Sequence, residues 1–567
     1  MVLCQPATAQ RLTRPAFGSE TKRVSDSKEQ AGWIDRLVEA FRGGRGPALW
    51  ALGIAIGIIA GYATLGLRLG ISFVEQTAFG VTEIHLASAA AHLPAWRIIL
   101  IPLATGALVA FLLWLGHRLN LTPDTRSQGV ADVIESRAVK AGRIDLNSGL
   151  YSAIISAISL GGGASAGREG PAVHLGASLA ASLGRWLNMP ARGSRVLLAC
   201  GAAAAVSASF NAPVAGALFA FEVILGHYAL RSIAPVASAS IVGALIVRHH
   251  LGQDPVFGLP EMAAATVWDF PLAAMLGVAA AGLAILFNRG AIFLPARIAQ
   301  WCDRTGIPLW ILPLPGGLLI GLMALIAPEI LGVGYEATSN ALRSEYALPL
   351  LLLLIGMKTL ATVVTLGFRF GGGVFSPSLY LGAMLGSAFG LTAALIFGDQ
   401  TAGPGFFAVI GMGAVSGAVL GAPLSTTLIV FELTTSYEAS VAVLLAVSLA
   451  TVLAQSALGG SLFQLQVQRK GYDVSGGSGR LILQTIRTRD VMVPLDDWGR
   501  SEISDSTVVF EDDTLGRTLG VLDAEQVDSA AVRARGGDQS IIGVVTKADA
   551  QAAYARRLAE ISEEEHR

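Results

Sequence analysis

Long apolar runs separated by short polar stretches fill the chain between residues 47 and 465. A helix needs about 20 apolar residues to cross the hydrocarbon core of a bilayer. Several runs are shorter or contain Gly and Pro, and irregular backbone at membrane depth is tolerated only beside protein or a polar cavity. The pattern therefore predicts an all-α polytopic membrane protein whose broken helices surround a pathway. The runs lie at 48–66, 97–115, 148–160, 194–206, 212–226, 232–247, 271–287, 308–327, 347–366, 377–396, 405–431 and 440–458.

Polar residues return on both sides of this membrane body. Residues 1–46 are predicted to be a cytoplasmic N-terminal tail, because three arginines directly precede the first apolar run and cations favour the cytoplasmic side. The stretch GYDVSGGSGR predicts a flexible linker within residues 466–484. Residues 485–567 are predicted to form a small α/β domain in the cytosol, so both termini are cytoplasmic.

The membrane body (47–465) repeats itself. The stretch GAAAAVSASFNAPVAGALFAFE (201–222) aligns without a gap with GMGAVSGAVLGAPLSTTLIVFE (411–432), and GREGPAVHLGASLAASLG aligns with GVFSPSLYLGAMLGSAFG. Two similar halves in a membrane protein predict a pseudo-two-fold axis with the binding site at their junction. The halves span about 47–250 and 265–465.

Composition narrows the class of protein. The chain is 53% hydrophobic and 14% charged, whereas soluble domains contain about 25% charged residues. Its net charge of −1 provides no field that would attract nucleic acid. The three cysteines are scattered and show neither metal-ligand spacing nor a disulfide framework. No metal or cofactor is therefore expected.

The stretch LGGGASAGREGP (160–171) fits the G-x-G-x-x-A pattern of dinucleotide-binding loops. Such a loop follows a strand and needs an acidic residue about 20 positions later. The flanks here resemble membrane helices, and the next acidic residue after Glu169 is Glu222. A dinucleotide site is therefore rejected, and the glycines need another explanation.

The same stretch places Glu169 at a helix N-terminus. Pro171 suits a first helical turn, and the second half repeats the arrangement in GGGVFSP, where Pro377 opens the helix. Facing helix N-termini can hold a dehydrated anion through backbone N–H groups without a full positive charge. Carboxylates inside a membrane are costly and usually functional. Glu169 is therefore predicted to be a gate that takes the anion's place and leaves when protonated or displaced.

GREGP (167–171), GVFSP (373–377), FNAPVAGALFAFE and the repeat together resemble the CLC family of chloride channels and chloride/proton antiporters, over residues 50–470. The resemblance implies a CLC-type inverted repeat of tilted and broken helices, a two-fold homodimer and one anion pathway per subunit. It assigns gating to Glu169 and implies that two backbone amides contact the central anion, those of Val374 and Phe375. The full anion-binding set implied is Ser127, Gln128, Gly129, Gly167, Arg168, Gly170, Gly373, Val374, Phe375 and Phe463.

Three positions depart from the family pattern. The family's first anion motif, Gly-Ser-Gly-Ile-Pro, corresponds to SQGVA (127–131), so the Gln128 amide either donates to the central anion or caps a local helix. Phe463 stands where the family has an inner-gate tyrosine, which leaves ring bulk as the constriction. Val223 stands where antiporters of the family commonly carry a second glutamate, and this favours a channel.

The remaining charged and polar positions have simpler readings. Glu222 and its repeat mate are expected to make helix-end or interface hydrogen bonds, because buried acids must be paired. Lys358 and Arg369 flank the second glycine-rich segment and either raise the local anion concentration or extend toward an interface. His174 and Tyr380 are matched repeat positions that are expected to pack.

The C-terminal stretches IRTRDVMVP, DDTLGRTLGVLDAE and SIIGVVTKADAQAAYARRL give a β-α-β-β-α rhythm that resembles one degenerate CBS motif. A lone copy cannot bury its sheet face, so pairing across a dimer is expected. Since no phosphate-binding residues stand out, a structural or trafficking module is favoured over nucleotide regulation.

The leading hypothesis is transmembrane chloride transport through a glutamate-gated pathway, as a voltage-gated-type channel. The alternatives are a chloride/proton antiporter, or transport of another anion such as nitrate or fluoride. No H-E-x-x-H or P-loop motif occurs in the body, so no enzyme is expected. The expected partners are a small anion, protons in the antiporter case, the lipid bilayer and a second copy. The expected location is a bacterial plasma membrane.

Overall fold

The computed structural model describes residues 46–82, 85–122, 124–252, 257, 265–475, 477–495, 507–536 and 540–566. The predicted N-terminal tail lies outside these residues as far as residue 45. The first half of the membrane body comprises α1 (Gly46–Phe79), α2 (Leu86–His92), α3 (Ala95–Arg118), α4 (Val130–Val139), α5 (Leu146–Gly161), α6 (Glu169–Trp186), α7 (Ala191–Phe210), α8 (Pro213–Phe219) and α9 (Leu230–Leu251). The second half comprises α10 (Asp269–Thr305), α11 (Pro313–Ala324), α12 (Tyr335–Leu342), α13 (Leu348–Gly367), α14 (Phe375–Phe397), α15 (Pro404–Leu420), α16 (Pro423–Thr434), α17 (Tyr437–Leu458) and α18 (Leu462–Arg469).

The helical membrane body confirms the predicted fold class. Eight helical segments of the described chain are long and apolar enough to cross a membrane, and every predicted apolar run coincides with helix. The apolar run over 405–431 forms two helices, which agrees with the expectation that Gly and Pro break several runs. Gly421 adopts a φ of 71° and ends α15. Pro423 has no backbone N–H and begins α16.

The internal repeat has the same backbone course in both halves. Helix α7 ends at Asn211 with a φ of 58°, and α15 ends at Gly421, its counterpart 210 residues later, with a φ of 71°. An Ala-Pro pair then starts the following helix in each half. In the first half the helix continues from α8 into one π-helical turn (Ala220–Leu225).

Each half caps a helix of the other half. Glu432 accepts hydrogen bonds from two backbone N–H groups in the first turn of α8, at 3.0 and 2.8 Å. Glu222 does the same at the start of α16, again at 3.0 and 2.8 Å. Reciprocal contacts of this kind are the signature of a two-fold relation. They also confirm the expected helix-end hydrogen bonds of Glu222 and its repeat mate.

The C-terminal region forms a four-stranded sheet in the order β1-β4-β3-β2. Only β2 and β3 pair in parallel, and the other pairs are antiparallel. The elements are β1 (Val493–Pro494), β2 (Val508–Phe510), α20 (Leu515–Ala524), β3 (Ser529–Arg533), β4 (Ile541–Thr546) and α21 (Lys547–His566). This region is consistent with the small CBS-like domain that the sequence predicts.

The predicted domain boundaries stay predictions, but the linker differs from its expected form. Helix α19 (Gly477–Thr485) begins within the segment 466–484, ends one residue beyond it, and contacts both α20 and α21. Ile482 is buried, and Leu483 is half-buried against the apolar core of the C-terminal region. The glycines of this stretch suggested flexibility, but these contacts hold the helix against the C-terminal region.

Glycines allow neighbouring helices to touch through their backbones in both halves. Gly382 of α14 lies against the carbonyl of Gly411 in α15, and the repeat mates Gly176 and Gly201 bring α6 and α7 together in the same way. A Cβ atom at any of these positions would collide with the facing backbone. The close packing of the helices that carry the two glycine-proline segments therefore depends on these residues.

Gly382→Ala is expected to destabilise the protein by about 1–3 kcal/mol, because overpacking forces the two backbones apart. The thermal unfolding temperature in detergent measures the effect. Gly356→Ala in α13 is the control, because a Cβ atom there meets nothing within 4 Å and alanine favours helix. Equal unfolding temperatures for the two variants would contradict the assigned packing.

Candidate functional site

The two glycine-proline segments meet at the centre of the membrane body. The N–H of Gly167 donates to the carbonyl of Gly373 at 2.7 Å, and the N–H of Gly373 donates back to Gly167 at 2.6 Å. Helices α6 and α14 begin two residues beyond this bridge. Two buried helix N-termini are thus fixed side by side, as the sequence predicts.

Glycine is required where the segments cross. A Cβ atom at Gly170 would lie 3.1 Å from the Cα atom of Gly373. Gly372 adopts a φ of 150°, which side-chain-bearing residues rarely adopt, and a Cβ atom there would collide with Ala166. The glycine-rich sequence therefore serves close backbone approach rather than phosphate binding.

The carboxylate of Glu169 reaches across this junction to the opposing helix. Its Oε2 accepts from the backbone N–H of Ser376 at 3.3 Å, in the first turn of α14. Its Oε1 accepts from the hydroxyls of Ser376 at 2.5 Å and Tyr335 at 3.2 Å. The side chain is buried, with Glu169 only 1% exposed. A carboxylate thus lies at a buried helix N-terminus, a position that favours an anion.

A cavity of about 270 Å³ adjoins Glu169. Most of the predicted site residues line it, from both halves and from the last membrane helix: Ser127, Gln128, Gly129, Glu169, Gly170, Gly373, Val374, Phe375 and Phe463. Gly167 and Arg168 are not in its wall. Gly167 forms the backbone bridge, and the guanidinium of Arg168 lies over the ring of Tyr335, 4.7 Å from its centre.

The SQGVA segment contributes backbone and side chains to one wall of the cavity. The Ser127 hydroxyl lies 3.2 Å from the carbonyl of Ser152 and 3.0 Å from the hydroxyl of Ser156. The Gly129 N–H donates to Asp132 Oδ2 at 2.7 Å at the start of α4. Asp132 therefore makes the helix-end contact that was considered for Gln128, and Gln128 itself lines the cavity.

Basic side chains also line the cavity: Arg126, Arg369, Arg469 and Lys470. Asp132 partly neutralises them through ion pairs with Arg126 at 2.5 Å and Lys470 at 2.6 Å. Arg369 donates to the carbonyls of residues 124 and 125, at 2.6 and 3.1 Å. Its position in the cavity wall favours the reading in which it raises the local anion concentration.

Lys470 lines the cavity and belongs to the segment that connects the membrane body with the C-terminal region. Besides Asp132, it pairs with Glu135, which also binds Lys140 at 2.6 Å. Burial opposes ionisation of Glu135, but the hydrogen bonds from the two lysines outweigh it and lower the pKa of this carboxyl. The network therefore stays charged at neutral pH.

Lys358 lies in neither of the two predicted positions, which were beside the anion site and toward a membrane interface. It is fully buried, donates to the carbonyls of Ile330 and Gly332 at 3.0 Å each, and lies over the ring of Tyr380. It is not in the cavity wall and does not extend toward an interface. Tyr380 and His174 are buried, as expected for packing positions.

Two contacts of Glu169 were not identified from the sequence. Ser376 lies inside the GVFSP motif, so its position in the first turn could have indicated a second donor beside the backbone. Tyr335 lies 166 residues from Glu169 on a helix of eight residues. No spacing or periodicity connects it with the site.

The comparisons with known proteins come from sequence and from structure. The family described as voltage gated chloride channel matches residues 105–455. The chain is 33% identical to a "putative chloride channel protein ClcB-like" of Ralstonia nicotianae, covering 69% of this chain and 90% of that protein. It is 29% identical to "chloride channel protein CLC-f" of Arabidopsis thaliana, covering 76% of this chain and 57% of that protein.

Two solved structures share the fold. A slow cyanobacterial Cl⁻/H⁺ antiporter gives a TM-score of 0.65 at 24% identity, covering 74% of this chain and 97% of that one. A CLC-type fluoride/proton antiporter gives a TM-score of 0.61 at 21% identity, covering 77% and 99%. At these identities the likeness establishes the fold alone.

Arg369→Gln is expected to lower anion flux by about two- to fivefold at 10 mM salt, where the Debye length is about 30 Å. The difference should shrink at 1 M salt, where screening acts within about 3 Å. Initial flux rates in liposomes at the two salt concentrations measure it. Arg289→Gln is the control, since Arg289 is exposed and lies outside the cavity wall. A loss independent of salt would contradict the electrostatic role.

Proposed function

Since the chain belongs to the voltage-gated chloride channel family, we propose that chloride crosses the membrane through the cavity that Glu169 closes. The observation that carries the proposal is the position of the Glu169 carboxylate. It accepts a backbone N–H of α14 at 3.3 Å, within a junction of two helix N-termini. A free anion would be stabilised by the same donors.

The proposed anion site uses partial charges instead of a cation. The backbone amides of Val374 and Phe375 would contact the central chloride, and both residues line the cavity. Conduction requires binding that is favourable enough for entry and weak enough for exit. Amide dipoles meet both requirements, whereas the guanidinium and ammonium groups in the cavity wall would raise the local chloride concentration.

Glu169 would act as a tethered anion that competes with chloride. In its ionised form it keeps the donors of Ser376 and Tyr335 occupied. Protonation removes the negative charge that holds it at the helix N-terminus. The side chain would then leave, and chloride could enter. Chloride at high concentration would displace it in the same way.

The proposed roles of the other cavity residues follow from their positions. Gln128 would donate from its side-chain amide, and Ser127 would support the segment through its contacts with α5. Phe463, which is 5% exposed, would narrow the pathway by the bulk of its ring. Gly167 and Arg168 would support the site from outside the cavity wall.

A passive channel is the first form of the proposal, and Val223 supports it. This side chain is apolar and packs against the main core, so it cannot carry a proton toward Glu169. The two relatives reported above are also named as a putative chloride channel protein and a chloride channel protein. The alternative, chloride/proton antiport, is favoured by Glu169 itself, because a buried carboxylate that moves can carry a proton. Nitrate and fluoride are the other anions to be compared.

The cellular location, the oligomeric state and the orientation are proposed as the sequence predicts them. The protein would act in a bacterial plasma membrane as a two-fold homodimer, with one pathway in each subunit and both termini in the cytoplasm. It would act purely in transport and catalyse no reaction. The single CBS-like domain would pair with its copy in the second subunit.

Glu169→Ala is expected to leave chloride flux intact or raised, and to abolish its increase at acidic pH, because no side chain then competes with chloride. Flux from purified protein in liposomes between pH 4.5 and 8 measures both effects. A variant that elutes as a folded protein but carries no chloride would overturn the gating role.

The channel and antiporter forms differ in one measurement. A chloride gradient across liposomes, with external pH recorded, is expected to drive no uphill proton movement if Val223 makes the pathway passive. Uphill proton movement that Glu169→Ala abolishes would establish the antiporter instead. The same liposomes loaded with nitrate or fluoride determine the preferred anion.

A further inference from the structure

We propose that Tyr335, held in place by Arg168, is a positioning residue that keeps Glu169 ionised in the closed pathway and so sets the pH at which the pathway opens. This inference rests on the proposed gating role of Glu169. Neither Tyr335 nor Arg168 lines the anion cavity. Tyr335 contacts the Glu169 carboxylate, and Arg168 contacts the ring of Tyr335.

The contact between Tyr335 and the gate is direct and buried. Tyr335 is the first residue of α12, is 5% exposed, and donates its hydroxyl to Glu169 Oε1 at 3.2 Å. Phe257 packs on its ring at a steep angle, with 5.2 Å between ring centres. Ring packing of this kind restricts the phenol, so its hydroxyl stays directed at the carboxylate.

Few donors stabilise this buried charge. Glu169 Oε1 accepts from two hydroxyls, and Oε2 accepts from one backbone N–H at 3.3 Å. A buried carboxylate depends on such donors far more than an exposed one, because no water replaces a lost partner. Tyr335 supplies one of only three hydrogen bonds recorded for the gate within the described chain.

Arg168 acts on the same ring. Its guanidinium lies 4.7 Å from the centre of the Tyr335 ring, and the residue is 2% exposed. A cation over an aromatic face is attracted by the ring and fixes its position. The positive charge also withdraws electron density from the phenol, which strengthens the hydroxyl as a donor. Arg168 thus contacts the ring face of Tyr335, and the adjacent Glu169 accepts the hydrogen bond from its hydroxyl.

Other charged and titratable groups surround the gate but are not altered by changing Tyr335. Lys358 lies behind the start of α12, bonded to two carbonyls, beside the buried Tyr380. His174 is buried on the same helix as Glu169. Across the cavity lie Arg126, Asp132, Arg369, Arg469 and Lys470. These charges are the same in wild type and variant, so a shift of the pH profile reports the loss of one hydrogen-bond donor.

The test is the pH profile of chloride flux in liposomes for Tyr335→Phe, which removes the hydroxyl and keeps the ring. Without this donor the ionised carboxylate is less stable, so it takes up a proton at higher pH. The midpoint of activation is expected to move upward by about one pH unit, a tenfold change in proton affinity. Each pH profile is normalised to its own maximum, and a monodisperse gel-filtration peak shows that the variant is folded.

Tyr380→Phe is the matched control. Tyr380 is fully buried in the same core, and its hydroxyl has no hydrogen-bond partner among the described residues. Its removal should leave the midpoint unchanged. Arg168→Lys keeps the charge but loses the planar stacking, so it should shift the midpoint in the same direction as Tyr335→Phe. If too little folded Tyr335→Phe can be purified, Arg168→Lys tests the same role of Tyr335.

The double variant with Glu169→Gln separates the inference from the proposed function. If Tyr335 acts through the gate, Tyr335→Phe has no effect on the pH profile in that background. A Tyr335→Phe profile that superimposes on wild type, while Glu169→Gln abolishes the pH dependence, overturns the role of Tyr335 and leaves the gate in place. If Glu169→Gln itself leaves the profile unchanged, the proposed gating function fails.

Discussion

The reciprocal hydrogen bonds between Gly167 and Gly373 are the constraint on which the site depends. Each backbone N–H finds its partner on the other half of the molecule, so neither segment is left unsatisfied in a buried, water-poor region. The bridge fixes the starts of α6 and α14 beside each other. Without it, the N–H groups of the two helices would not share one place, and a single carboxylate could not reach across.

The two halves hold each other by repeating the same contacts. The capping of α8 by Glu432 and of α16 by Glu222 uses equal distances in both directions. The glycine contacts between α6 and α7 recur between α14 and α15. A pseudo-two-fold arrangement brings equivalent helix ends to the axis. The site therefore lies at the junction, where N-termini from both halves are available.

The cavity wall combines the full charges of basic side chains with the weaker dipoles of backbone amides. Val374 and Phe375 belong to the cavity wall beside Glu169, and three arginines and a lysine line the same cavity. Asp132 reduces the field of these cations through two ion pairs. In the proposed pathway the cations would raise the local anion concentration, and the weaker dipoles would bind the anion. The gate is consequently governed by few contacts, and each donor has a large effect.

The membrane class, the repeat, the helix starts at both glycine-proline segments and the position of Glu169 at one of them could all be predicted from the sequence. These features are local: apolar length, glycine, proline and the order of residues specify them directly. The sequence also identified nine residues of the cavity wall, through the resemblance of their motifs to a family.

Contacts between residues far apart in the chain became visible only in the folded structure. Tyr335 reaches Glu169 from a separate short helix, Arg168 turns to that tyrosine instead of the cavity, and Lys358 is buried on backbone carbonyls. Each outcome depends on how helices pack across the pseudo-two-fold axis. Contacts between elements far apart in the chain leave no periodic trace in the sequence, because the partner is selected by shape and charge after folding.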